Sequence, residues 1–253
     1  MSRADEWATR LWHEAQTHET SAFLTLTFSD ENLPLDGSIR VRDVQLFIKR
    51  LRKHLGHNRV RFFACGEYGD DGSRPHYHVI TYGYDFPDRT PWRKSPSGYV
   101  CYRSATLERL WPFGYAELGT VTRESLGYVA RYVLKKVNGD KAKEHYLRPH
   151  PVTGELHQVL PEFITMSTRP GIGAEWYTRF ASDAFPSDFV VVNGQKKPVP
   201  RYYKKRLEWG DNLKVTTKRQ VRAKRHASNN TPDRLAVREE VQQRRVERLK
   251  REI

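Results

Sequence analysis

His76-Tyr-His-Val-Ile-Thr-Tyr82 alternates along its length, which predicts a β-strand. On a strand, residues i and i+2 point to the same side. His76 and His78 therefore present two imidazoles side by side, with Tyr77 facing the other way. Upstream, Arg59 to Cys65 reads as a second strand. Gly66-Glu-Tyr-Gly-Asp-Asp-Gly-Ser-Arg-Pro75 between them is turn-rich, so the two strands form a long-looped hairpin. Phe23-Leu-Thr-Leu-Thr-Phe28 alternates apolar residues with Thr and predicts a strand with one buried face. Tyr115 to Val121 suits a further strand.

Helical spacing surrounds these strands. Trp7, Leu11, Trp12 and Ala15 predict an amphipathic helix over Glu6 to His18. From Val41 to Leu55, one helical face carries Val44, Phe47, Ile48, Leu51 and Leu55. The other carries Lys49, Arg50, Arg52 and Lys53. Ala105 to Trp111 and Ala174 to Ala184 are shorter helices. Ser125 to Val137 is another, with Thr122 or Ser125 near its start and Asn138-Gly139 as its stop. Asp85 to Gly98 reads as a loop or insertion, and Asp140 to Pro161 as less regular. Phe189 to Val192 and the stretch around Pro198 are short extended pieces, and Thr231-Pro232 opens a final charged helix. The order predicts an α+β fold, a central, mainly antiparallel sheet flanked by helices.

The chain has 253 residues, a net charge of +14 and a pI of about 9.8. That balance favours a polyanionic partner, nucleic acid before membrane. Residues 201 to 253 carry 17 Lys+Arg against 7 Asp+Glu, which is +10 of the total. No apolar run approaches the ~18 residues of a membrane helix, and the N-terminal residues lack the apolar stretch of a secretory signal. Two cysteines, Cys65 and Cys101, exclude a disulfide framework or a four-cysteine zinc site. No Walker-type phosphate loop appears, so a fused helicase is not expected.

The His pair gains meaning from its neighbour. Glu67 ends the preceding strand, so a hairpin brings it near His76 and His78. Two imidazoles and one carboxylate suit Mg²⁺ or Mn²⁺ acting on a phosphate oxygen. A bare His-x-His would equally fit a polar strand face. In Gly127-Tyr-Val-Ala-Arg-Tyr-Val-Leu-Lys-Lys136, Tyr128 and Tyr132 share a helical face, with Lys136 one turn further and Lys135 beside it. A tyrosine phenolate can attack a phosphodiester, and its ordinary pKa of ~10 calls for a cation nearby. Taken alone, this motif also fits core packing beneath a basic surface.

With these residues assembled, the chain resembles the replication initiators of small single-stranded-DNA phages, the microvirus (gokushovirus-type) group of the HUH endonuclease superfamily. The resemblance rests on Glu6-Trp-Ala-Thr-Arg10 with His13-Glu-Ala-Gln16, Phe23-Leu-Thr-Leu-Thr-Phe28, Phe63-Ala-Cys-Gly-Glu-Tyr-Gly69, Arg74-Pro-His-Tyr-His78, Trp111-Pro-Phe-Gly114, Tyr128-Val-Ala-Arg-Tyr-Val-Leu-Lys-Lys136 and Met166-Ser-Thr-Arg-Pro-Gly-Ile-Gly173. It implies a ferredoxin-like nicking and joining domain over residues 1–207 and a basic, partly helical extension over 208–253. It implies that His76, His78 and Glu67 hold Mg²⁺ or Mn²⁺. Tyr128 and Tyr132 would be nucleophiles, with Lys135 or Lys136 orienting the phosphate. Arg131 stands where relatives often carry Lys, and an Arg there does not act as a proton shuttle. Lys49, Arg50, Arg52, Lys53, Arg74, Arg131, Lys204, Lys205 and Arg206 would hold DNA. The implied setting is the cytoplasm of a bacterial host, with single-stranded origin DNA as substrate and host helicase and polymerase as partners. The same chemistry would also fit a plasmid rolling-circle initiator, a relaxase or a transposase. A basic nucleic-acid-binding protein without catalysis is the alternative outside that class.

Overall fold

The computed structural model describes residues 3–69, 74–134, 136–137, 139–150, 153–207 and 209–248. By internal contacts the chain divides between Trp176 and Tyr177 into two units.

In the first unit, helix α1 (Arg3–Ala15) leads into strand β1 (Ser21–Phe28), helix α2 (Val41–Leu55), and strands β2 (Arg61–Tyr68) and β3 (Pro75–Tyr82). Strands β4 (Thr90–Lys94) and β5 (Val100–Arg103), helix α3 (Ala105–Leu110), strand β6 (Gly114–Thr120) and helix α4 (Arg123–Arg131) follow. Then come α5 (Lys141–His145), β7 (Leu147–Pro149), β8 (Leu156–Gln158), β9 (Phe163–Met166) and the start of α6 (Ala174–Ala184). Among the described residues the main sheet has seven strands, in the order β4-β5-β6-β1-β3-β2-β9. Its ladders are antiparallel. The expected α+β architecture is the one observed, and the β2–β3 hairpin forms as read from the sequence.

The histidine strand β3 is central, paired on one side with β1 and on the other with β2. Both faces of this region are covered, so β3 is buried along nearly its whole length. One face carries Leu24, Leu26, Phe28, Tyr77, Val79 and Ala64 into a core with Val44, Phe47, Ile48 and Leu51 of α2 and Leu107 of α3. Each such side chain stabilises the fold by roughly 1.5–3 kcal/mol. Tyr77 satisfies its hydroxyl there: it donates to Asp43 (2.6 Å) and accepts from the Arg40 backbone N–H (3.0 Å). It so supplies the cap that Arg40 cannot give to α2.

The opposite face is covered by α1 and α4. Trp7 of α1 lies 5.3 Å from Phe63, and Leu11 is fully buried. A clasp fixes α1 to a segment about 160 residues downstream. The Arg10 guanidinium donates to the Ile172 carbonyl (3.1 and 2.9 Å). The Glu14 carboxylate accepts from the Gly173 backbone N–H at 2.6 Å and pairs with Arg61. The His13 ring stacks on Trp176 at 3.6 Å. Two of the sequence motifs, at 6–16 and 166–173, are thus one structural contact.

Several sequence expectations change. Residues 85–98 are not a bare loop: Thr90–Lys94 forms the edge strand β4 against β5. The helix expected over Ser125 to Val137 is α-helical only to Arg131, and Tyr132–Leu134 tightens into a 3-10 turn. Its start is as expected, with Thr122 and Ser125 exchanging side-chain-to-backbone bonds in a capping box. Its expected stop includes Asn138, which lies outside the described residues. The 140–161 stretch contains α5 and the β7–β8 hairpin. Strand β9 has no counterpart among the sequence expectations.

In the second unit, α6 continues past a non-helical Phe180. Strands β10 (Phe189–Val192) and β11 (Gln195–Pro198) form a hairpin, followed by α7 (Arg201–Lys204), α8 (Trp209–Arg225) and α9 (Pro232–Glu247). Buried Asp188 accepts from Arg219 and Arg222, anchoring α8 to the hairpin. No described helix is long and apolar enough to cross a membrane.

Candidate functional site

On β3, His76 and His78 point to the face under α1 and α4, as the alternation requires. In the ladders Glu67 stands opposite His76, and Cys65 opposite His78. On the other side Thr27 faces His76 and Thr25 faces His78. Glu67, His76 and His78 are therefore gathered on one patch of sheet.

Hydrogen bonding sets the state of each imidazole. His76 Nδ1 lies 2.7 Å from the Arg74 carbonyl. A carbonyl only accepts, so Nδ1 carries the proton and Nε2 keeps its lone pair, the form a metal needs. His78 Nε2 lies 2.8 Å from Glu67 Oε1, and its Nδ1 lies 3.2 Å from Thr25 Oγ1. The carboxylate accepts from Nε2–H, and the Thr25 hydroxyl donates to Nδ1. Burial pushes the His76 pKa below the ordinary imidazole value.

The two tyrosines complete the patch. Tyr128 is on the last turn of α4 and Tyr132 caps it, yet their rings stay together at 4.9 Å. Both lie on His78, edge-on at 5.2 Å for Tyr128 and stacked at 5.4 Å for Tyr132. The Tyr132 hydroxyl is hydrogen-bonded to Glu67 and to Tyr128. Burial first, then the Glu67 charge, raises both phenol pKa values well above the usual tyrosine range. As they stand, the phenols are held neutral.

The donor set suits a divalent cation in kind: two imidazoles and a carboxylate. Among the described residues, however, no three His, Cys, Asp or Glu side chains are placed to hold an ion as they are. Glu67 is drawn onto His78 instead. Ion binding therefore requires that one contact to open and the proton on His78 Nε2 to leave.

The expected phosphate-binding residues scatter. Arg131 is at the site, its guanidinium 5.4 Å from the Tyr128 ring centre. Lys136 is exposed just beyond the 3-10 turn, and Lys135 lies outside the described residues. Arg74 donates to the Phe28 carbonyl (2.8 Å) and pairs with Asp30, so it braces the β3 entrance. Lys49, Arg50, Arg52 and Lys53 sit on α2, which covers the opposite face of the sheet from the histidines. Two of them also bind structure: Arg50 donates to the Leu110 carbonyl (2.7 Å) and Arg52 to that of Val60 (3.4 Å). Lys204, Lys205 and Arg206 belong to the second unit. Sequence reading missed Thr25, although its place among same-face residues of an alternating strand was the available signal.

A central antiparallel strand bearing paired histidines, a carboxylate on the next strand and two tyrosines on a covering helix define an α+β protein with one polar cluster at its sheet centre. Residues 21–137 match the family model described as Replication-associated protein ORF2. Replication-associated protein VP4 of Bdellovibrio phage phiMH2K is 34% identical over 211 residues, covering 80% of this chain and 62% of that protein. Replication-associated protein ORF2 of Spiroplasma virus 4 is 30% identical over 242 residues, covering 89% and 71%. Replication-associated protein ORF4 of Chlamydia phage 1 is 28% identical over 215 residues, covering 81% and 50%. The chain belongs to this family of phage replication-associated proteins, which bears out the microvirus resemblance. It spans 62% of the VP4 relative and half of the ORF4 relative. No solved structure matches it.

Proposed function

We propose that this chain initiates phage DNA replication by nicking and rejoining single-stranded DNA at an origin through a tyrosine nucleophile. The observation that carries the reading is the hydrogen-bonded chain Tyr128–Tyr132–Glu67–His78 at the centre of the sheet. A phenol that already donates to a carboxylate has a place to send its proton. Attack of the phenol oxygen on a phosphorus forms a 5′-phosphotyrosine bond, and the departing 3′ oxygen takes up a proton as a hydroxyl. Because the phosphodiester energy is conserved in that bond, the second tyrosine or the 3′ hydroxyl reverses the reaction without ATP.

His76 through Nε2, with His78 and Glu67 once their mutual contact opens, would hold Mg²⁺ or Mn²⁺. Bound there, the ion would supply Lewis acidity to a phosphate oxygen and offset the Glu67 charge that opposes ionisation of the phenols. Thr25 orients the His78 ring, and Arg131 beside Tyr128 meets the phosphate charge. Host polymerase would extend the freed 3′ hydroxyl behind a host helicase, in the cytoplasm of the infected cell.

The test incubates the protein with labelled single-stranded origin DNA and Mn²⁺, then separates products on a denaturing gel. A protein–DNA band lost with EDTA, and lost in the Tyr128→Phe/Tyr132→Phe double variant, is expected. An adduct that survives the double variant would place the nucleophile elsewhere.

A further inference from the structure

The site extends sideways along the sheet. Glu67 faces His76, His76 faces Thr27, and Thr27 faces Tyr115, so these four residues form one row across β2, β3, β1 and β6. In the parallel row, His78 faces Thr25 and Thr25 faces Glu117. Tyr115 and Glu117 therefore share the face of the His–Tyr cluster. Over β2, β3 and β1 this face is roofed by α1 and α4. Past β1 it is open: Tyr115 is 69% exposed, and every residue of β4 is exposed.

What stands on the open half is aromatic and basic. Trp92, on the bulged edge strand, is 56% exposed, and the Arg103 guanidinium lies 4.9 Å over its ring. Arg93 reaches back to Glu117 in a bidentate pair (both 2.8 Å), and Arg103 also holds Glu108 (2.7 Å). These exposed pairs contribute little to stability, so a phosphate can take over either guanidinium. Lys94 adds a further exposed cation. With strands about 4.8 Å apart, Tyr115 is roughly 10 Å from the histidine strand, and β4 roughly 10 Å further.

We propose that this open half-sheet, from Tyr115 to Trp92, is a track for the single strand that feeds the tyrosine site. The identity of the strand as DNA rests on the nicking reading above. Tyr115 and Trp92 are the base-stacking platforms, and Arg93, Arg103 and Lys94 hold the backbone. A flat array of exposed rings beside cations recognises unpaired bases, whose faces a duplex keeps hidden. Continuity with the His76 row and the charge of the patch favour that occupant over an apolar protein surface.

The experiment measures fluorescence anisotropy of a labelled single-stranded oligonucleotide in EDTA, so that binding is read without chemistry. Tyr115→Ala and Trp92→Ala are each expected to weaken binding about 5- to 100-fold, the usual range for one stacked base. Tyr115→Phe should bind as wild type, because stacking uses the ring and not the hydroxyl. Affinity for a duplex of the same sequence should not change in Tyr115→Ala. Wild-type affinity for the single strand in both alanine variants would overturn the track, as would equal losses on the duplex. A wild-type protein that makes no adduct, while Tyr115→Ala still loses single-strand affinity, would sink the nicking reading and leave the track standing.

Discussion

Glu67 stands directly opposite His76 in the ladder, yet its carboxylate bonds diagonally to His78 at 2.8 Å. The pairing leaves His76 with a lone pair on Nε2 and closes His78 upon the carboxylate. The resting site is therefore half prepared for a cation.

Glu67→Ala removes the acceptor for both His78 Nε2–H and the Tyr132 hydroxyl. Leaving buried donors without a partner costs about 1–3 kcal/mol. Urea unfolding should show that loss, and calorimetric titration with Mn²⁺ should show binding weakened by at least ~10-fold. Wild-type Mn²⁺ affinity in this variant would remove Glu67 from the donor set.

Thr25→Val keeps the shape of the side chain and deletes the hydroxyl beside His78 Nδ1. The imidazole then loses the bond that fixes its ring and tautomer. Adduct formation should slow by about 10–100-fold, the effect of removing a comparable supporting bond at a metal site. Undiminished single-turnover rates would show that Thr25 is a passive neighbour.

Gly69→Ala separates function from stability. A Cβ at Gly69 would come within 2.9 Å of His76 Cε1, and the ring can yield without moving the backbone. The unfolding midpoint should hold to within ~0.5 kcal/mol, while the rate of adduct formation falls at least ~10-fold as His76 leaves its position. A large loss of stability with the rate intact would contradict this.

Acid stability should depend on His13. Burial, then the charge of Arg123, holds its pKa down at about 3. In the unfolded chain it titrates near ~6.5. Between these values the unfolded state binds more protons, so stability falls as pH drops. The loss from this residue is about 2 kcal/mol between roughly pH 8 and pH 5. His13→Phe, which preserves the stack on Trp176, should flatten that part of the urea-midpoint profile. An unchanged slope would assign the acid loss to other groups. Glu14 acts lower in the range: burial opposes its ionisation, but bonds from His18, Gly173 and Arg61 outweigh that and depress its pKa, so its contribution fades as pH falls through the depressed value.

The strands were legible in proportion to their alternation. Ser21–Phe28 and Pro75–Tyr82 repeat with period two and form within two residues of the expected bounds. Thr90–Lys94 was hidden because an edge strand with all residues exposed has no apolar side to betray it. Phe163–Met166 was too short and too uniformly half-buried to stand out. At the site, the side-by-side histidines followed from strand periodicity alone. The diagonal choice of Glu67 did not, because it depends on which rotamer two neighbouring strands permit. The tyrosine pair survived an error in the helix length, since four residues of α-helix and the first residue of a 3-10 turn still leave both rings on one side. The clasp of Arg10 and Glu14 on Ile172 and Gly173 joins residues too distant in sequence for any local pattern to reveal.

The strand that carries the histidines is hydrogen-bonded to a neighbour on both edges along most of its length. Its amides can be reached by solvent only when the whole sheet comes apart, so in hydrogen exchange they should be among the slowest in the chain. The tyrosines hang from a helix of only nine residues ending in a 3-10 turn. Cycles of cleavage and rejoining would thus swing a short, fraying arm over an anvil that does not breathe.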